Sequence, residues 1–235
     1  MYKRQSVSLS PDGSVVAIGA SGNDDNGSGS GHVRIYQNNT GTWTKVGDDI
    51  DGEAAGDYSG GSVSLSHNGV TDVVAIGAYG NDDNGSSSGH VRIYQNVGDT
   101  WTQIFNDIDG EAGGDESGSS LALSSDGSVV AIGSRFNNGN GEYSGHVRIY
   151  QNVGDTWTKI GEDIDGEFAK DRSGFSVSLS SDGSVVAIGA PRNDDNGTNS
   201  GSRVSKGHVR IYQNNGGTWT QVEDDIDGES AADYF

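Results

Sequence analysis

The chain has 235 residues, with 34 Asp or Glu against 14 Lys or Arg, for a formal net charge of −20. That balance excludes nucleic acid and anionic membrane surfaces as partners, since both are held by Lys/Arg patches. The chain has no cysteine, which excludes disulfides and thiolate metal sites, and no apolar run approaches the roughly 18 residues of a membrane span, so no direct membrane insertion is expected.

Leu, Ile, Val and Phe supply only 45 residues, a share at the border of disordered composition. The 39 glycines, however, recur at fixed offsets, which marks turns and close packing rather than a flexible linker. Residues 1–5 match nothing at the equivalent place in the rest of the chain. They resemble the translated end of a sequencing adapter and are set aside from fold reasoning as a scar. From Ser6 one unit repeats four times, restarting at Ser62, Ser120 and Ser176 with spacings of 56, 58 and 56 residues. The expected blades are 6–61, 62–119, 120–175 and 176–235. The last copy stops at Asp233-Tyr234-Phe235, so the natural protein is expected to extend past both ends.

In the first copy Val7 and Leu9 alternate with Ser6, Ser8 and Ser10, the period of a half-buried strand. Pro11-Asp12-Gly13 is a tight turn. The run Val15-Val16-Ala17-Ile18-Gly19-Ala20 is apolar on both faces, as in a strand packed between two layers. A polar loop at 23–31 follows, then a strand at 32–37 with Val33 and Ile35 on one face and His32, Arg34 and Tyr36 on the other. A fourth strand is expected over 42–50, opened by Trp43. No segment has helical periodicity. Four short strands per unit, repeated about an axis, describe an all-β propeller of four four-stranded antiparallel blades. A β-solenoid has shorter periods, and a sandwich does not repeat this closely.

Ser173-Gly174-Phe175-Ser176-Val177-Ser178-Leu179, followed by Ala187-Ile188-Gly189-Ala190-Pro191, resembles the FG-GAP repeat of integrin alpha-subunit propellers and related bacterial surface proteins. The Phe-Gly pair is inverted at Gly174-Phe175 and reduced to Gly60-Gly61 and Gly118-Ser119. Gly-Ala-Pro is complete at 189–191 and varied as Gly19-Ala20-Ser21, Gly77-Ala78-Tyr79 and Gly133-Ser134-Arg135. The resemblance implies a larger ring, commonly seven-bladed, used for adhesion or ligand binding outside the cell or on its surface, with protein or glycan partners at the loop-rich rim.

The family's Asp-rich calcium loop lies between the first two strands. Here that connection is Ser10-Pro11-Asp12-Gly13-Ser14, and one Asp cannot supply the six to eight oxygens calcium takes. Two other acidic loops, at 23–27 and 49–57, are expected on one rim. They make Asp24, Asp25, Asp51, Glu53 and Asp57 candidate calcium ligands, with turn capping by Asp and Asn as the alternative. His32, His90, His146 and His208 open the third strand of every copy and read as structural. Trp43, Trp101, Trp157 and Trp219 read as blade-edge covers. Arg135, Lys170, Arg172, Arg192, Arg203 and Lys206 break the repeat, beside Phe136 and Phe168. Of these, Arg135, Phe136, Phe168, Lys170, Arg172 and Arg192 form a candidate ligand site on an acidic rim. Nucleophile motifs are absent and most polar candidates are quadruplicated, so no catalysis is expected. The expected role is a binding or adhesion module. The alternatives are a purely structural repeat array and a propeller enzyme acting on glycans or phosphoesters.

Overall fold

The computed structural model describes residues 5–194 and 205–230. Gln5 opens the first strand, β1 (Gln5–Leu9), and pairs with Ala20, so the regular fold begins inside the segment set aside as a scar. β1 pairs antiparallel with β2 (Val15–Ala20), β2 with β3 (His32–Asn39), and β3 with β4 (Thr42–Lys45). β5 (Ile50–Asp51) also pairs with β3, at its other end. The second sheet repeats this as β6 (Ser62–His67), β7 (Asp72–Ala78), β8 (His90–Val97), β9 (Thr100–Gln103) and β10 (Ile108–Asp109). The third comprises β11 (Ser120–Leu123), β12 (Val129–Ser134), β13 (His146–Asn152), β14 (Trp157–Lys159) and β15 (Ile164–Asp165). The fourth comprises β16 (Ser176–Leu179), β17 (Val185–Ala190), β18 (His208–Asn214), β19 (Trp219–Gln221) and β20 (Ile226–Asp227). Among the described residues there is no helix.

The outermost strand departs from expectation. It is not one strand over 42–50 but two short pieces on the edge of β3, parted where the chain turns left-handed. Gly47 has φ 70°, and its counterparts Phe105, Gly161 and Glu223 have φ 65°, 76° and 61°. A residue in that region cannot continue a ladder, and only glycine enters it without strain.

Consecutive sheets pack face to face, with β1, β6, β11 and β16 neighbouring one another along the inner side. The core is therefore not within a blade but between blades. Val15, Ala17, Val33, Ile35 and Ile50 of the first sheet meet Leu65, Val74, Ile76 and Tyr94 of the second. The second meets the third through Ile93 and Ile132, and the third meets the fourth through Ile149 and Ile188. Each such fully buried side chain contributes about 1.5–3 kcal/mol relative to exposure. At the two ends the equivalent faces lie open. Val7 is 68% exposed where its counterpart Val63 is half-buried, Leu9 is 56% exposed where Leu65 is 6% exposed, and Ile226 is 47% exposed where Ile108 is 7% exposed.

Polar stitching accompanies each core. Ser8 Oγ accepts from the Leu65 amide and Ser64 Oγ from the Leu123 amide, which satisfies edge-strand donors with the previous blade's side chains. The indole N–H of Trp101 donates to the Val46 carbonyl, and that of Trp219 to the Ile160 carbonyl. Each tryptophan lies against the left-handed glycine of the preceding blade, Gly47 or Gly161. Where Phe105 replaces that glycine, the Trp157 indole N–H has no acceptor, and its ring meets Phe105 edge-on at 6.4 Å.

The tightest inter-blade contact is a glycine seam. A Cβ on Gly19, Gly77 or Gly133 would stand 2.1–2.2 Å from the carbonyl oxygen of Gly60, Gly118 or Gly174, which leads into the next blade. Ser6, Ser62 and Ser120 donate to those same three carbonyls. At Gly189 a Cβ would meet only Ser176. Gly77→Ala is therefore expected to destabilise by about 1–3 kcal/mol more than Gly189→Ala, the cost of overpacking against fixed backbone. Equal losses in chemical denaturation would show that the seam does not hold the blades.

Candidate functional site: histidine–carboxylate clusters and a cationic rim

In each of the first three copies the loop between the second and third strands is tied to the loop leading to the next blade. Asn26 Nδ2 donates to the Gly52 and Glu53 carbonyls, Asn84 to those of Gly110 and Glu111, and Asn140 to those of Gly166 and Glu167. Gly31 and Ser59, Gly89 and Ser117, and Gly145 and Ser173 form parallel bridges beside them. Both acidic loops thus meet on one rim.

The five candidate calcium ligands do not converge there. Asp24 Oδ1 caps the Gly29 amide and Asp57 Oδ2 caps the Ala54 amide, both local side-chain-to-backbone bonds. Asp51 pairs with His32 in the strand register, and its carbonyl accepts from Arg92. Only Asp25 and Glu53 lie in clusters, and in different ones. Asp25 stands with His32 and Asp49, whereas Glu53 crosses to the second blade to stand with Asp83, His90 and Asp107. Glu111 with His146 and Asp163, and Glu167 with His208 and Asp225, repeat the crossing.

The histidines hold their place because each opens the central strand of its sheet, opposite Ala20, Ala78, Ser134 or Ala190. His90 is wholly buried, and neither ring nitrogen has a hydrogen-bond partner. Its Nδ1 stands 3.9 Å from Glu53 Oε2, 3.8 Å from Asp83 Oδ2 and 3.7 Å from Asp107 Oδ2. Nδ1 of His32 is likewise without a hydrogen bond, whereas Nδ1 of His208 stands 3.1 Å from Asp225 Oδ2. Burial lowers the His146 pKa against the pull of Asp163 and Asp165, and burial raises that of Asp165. Among the described residues these clusters are the groups of His and carboxylate side chains able to hold a cation. Sequence reasoning read the histidines as structural because they recur at one position in every copy, and the glutamates that reach His90, His146 and His208 come from the preceding copy.

On the same rim the structure brings Arg135, Phe136 and Arg172 together. The Arg172 and Arg135 guanidiniums stand 4.7 Å and 4.9 Å from the centre of the Phe136 ring, and Arg135 is 5.6 Å from Phe175. Tyr143 meets Phe136 edge-on at 5.4 Å, and Glu116 holds Arg135 at 2.6 Å. Burial first, then the charges of Arg192 and Arg135, press the Arg172 pKa below its ordinary range. Lys170 is engaged with Glu142, and Phe168 is exposed. Arg203 lies outside the described residues. Tyr143, Phe175 and Glu116 were missed from sequence. The available signal was that Tyr58, Glu116 and Arg172 occupy one repeat position, and Tyr79 and Arg135 another, with Tyr58 and Tyr79 stacked at 5.2 Å.

Two grooves open between the outer strands of adjacent blades. One of about 430 Å³ lies beside Asp163, Asp165 and Trp219, and one of about 180 Å³ beside Asp107, Asp109 and Trp157. They are one repeated feature rather than a single asymmetric cleft.

Radial antiparallel sheets with shared cores define the class as a β-propeller. Residues 50–94 and 164–203 match the FG-GAP repeat family model. Among solved structures it is similar to the Dos1 propeller, with a TM-score of 0.52 and 15% identity over 96% of this chain and 59% of that one. The chain thus spans 59% of that structure's length, and the likeness speaks to fold alone. A putative 6-phosphogluconolactonase from Bacteroides uniformis aligns at a TM-score of 0.38 and 14% identity, over 97% of this chain and 86% of that one, too distant to carry an argument. No curated protein matches the chain.

The first hairpin turn holds its aspartate with its own serines. Asp12 Oδ1 accepts from the Ser10 and Ser14 hydroxyls and the Ser14 amide, and Asp182 does the same with Ser180 and Ser184. Those bonds hold both carboxyls at about 2, below the ordinary 3.8. The folded pKa being depressed, the turn's contribution to stability is complete above the ordinary value and is lost as pH falls toward 2. Carboxyl-carbon NMR titration of Asp12 and Asp182 should find midpoints near 2, unmoved by millimolar calcium. Midpoints near 3.8 would show that the serine bonds do not form.

Proposed function

We propose that the chain is a non-enzymatic binding module presented outside the cell or on its surface, with the rim around Phe136 as its contact site for an anionic group of a glycan or protein. The observation that carries this reading is the pair of guanidiniums, Arg135 and Arg172, set over one aromatic ring on a protein of net charge −20. Guanidinium planes ordered on aromatic rings are presented for bidentate capture of carboxylate or sulfate. These residues are peculiar to the third copy, as a ligand site requires and a scaffold does not. The propeller supplies rigid elements that fix the loops. The FG-GAP family likeness supports the extracellular setting.

The rival is that Arg135 serves only to neutralise Glu116 and brace the blades. Replacing Phe136, Arg172 and Phe175 together by alanine separates the two. If the rim is a contact site, retention on an alginate- or heparin-coated surface should fall at least tenfold while the circular-dichroism spectrum is preserved. Retention that persists would place the contact surface elsewhere on the chain.

A further inference from the structure

We propose that Glu53, Asp83, His90 and Asp107 bind a divalent first-row transition-metal ion, zinc foremost, and that the ion clasps the second blade to the first. The cluster recurs at the next two interfaces as Glu111–His146–Asp163 and Glu167–His208–Asp225. In each of the three, the glutamate comes from the blade before the histidine. The first copy, with no preceding glutamate in the chain, keeps Asp25, His32 and Asp49.

Four ligand atoms, one nitrogen and three oxygens, lie within 4.8 Å of one another in the His90 cluster. The buried Nδ1 points among the three carboxylates yet makes no hydrogen bond, and its distances of 3.7–3.9 Å are too long for one. A buried imidazole without a partner is uncommon in a folded protein. Three carboxylates held this close repel one another, and the nearby guanidinium of Arg92 engages Glu53 through Oε1, leaving Oε2 toward the cluster. Arg92 thereby orients a ligand, as groups behind metal ligands commonly do. Tetrahedral zinc at about 2.1 Å from its ligands sets them about 3.4 Å apart, so the distances from Nδ1 need shorten by about 0.4 Å and those among the oxygens by at most about 1.4 Å. Asp83 and Glu53 are both substantially exposed loop side chains, free to make that movement. An imidazole with three carboxylates suits zinc or manganese, whereas calcium takes six to eight oxygens.

Chelator-treated chain, titrated with zinc, manganese and calcium chlorides by calorimetry and thermal denaturation, tests the proposal. Zinc should bind saturably and raise the melting temperature, with calcium at least tenfold weaker. Glu53→Gln with Asp83→Asn should remove one zinc equivalent, or weaken it at least tenfold, while the metal-free melting temperature is kept. Cobalt(II) should show the visible absorption of a tetrahedral site, diminished in Asp107→Asn. Absence of saturable zinc binding, a full zinc complement in the double variant, or preference for calcium would each overturn it.

Discussion

The approach of Gly19, Gly77 and Gly133 to the carbonyls of Gly60, Gly118 and Gly174 sets the distance between blades, and the other inter-blade contacts depend on that distance. With any side chain at these positions the sheets would stand further apart. Ser6 would then lose its reach to the Gly60 carbonyl, and Trp101 its reach to the Val46 carbonyl. The apolar faces would also gap, and a gap of even half an ångström forfeits a good part of the dispersion attraction across it. Glycine here is a spacing device in extended strand, unlike Gly47 and Gly161, where it serves a left-handed turn.

The same spacing decides where chemistry is available. A blade alone presents a histidine and one or two aspartates; only a predecessor at the right separation adds the glutamate. Repeat identity thus yields a row of similar polar clusters, while departures from the repeat yield a cationic aromatic group on the rim. The acidic excess is not spread evenly in role: Asp12, Asp24, Asp57 and Asp182 are engaged by local hydroxyls and amides. The aspartates near the histidines are engaged instead by longer side chains: Asp49 by Arg34 and Lys45, Asp107 by Gln103, Asp163 by Arg148 and Lys159, and Asp225 by Gln221.

Strand positions, the sheet count and the sharing of one rim by both acidic loops were legible in the sequence because they follow from period-two patterning and from turn chemistry repeated four times. The break in the outer strand was not. The left-handed site is glycine in two copies but Phe105 and Glu223 in the others, so no residue type marked it. The crossing of Glu53 to His90 was hidden for a different reason: adjacency between copies is a property of blade packing, and no spacing within one copy encodes it. Likewise Phe175 looked like part of a repeat signature, and its place near Arg135 emerges only once two blades meet.

Four nearly identical units also pose a problem of folding. A second strand that pairs correctly with its own first strand finds almost the same apolar pattern in every other copy, so wrong pairings between non-adjacent units are close in energy to the right one, a characteristic failure of repeat proteins. Phe105 against Trp157 breaks that degeneracy, since the ring fills a place that is glycine before Trp101 and Trp219. An aromatic misfit that strains one position thus labels one interface, telling the third blade from its neighbours while the chain assembles.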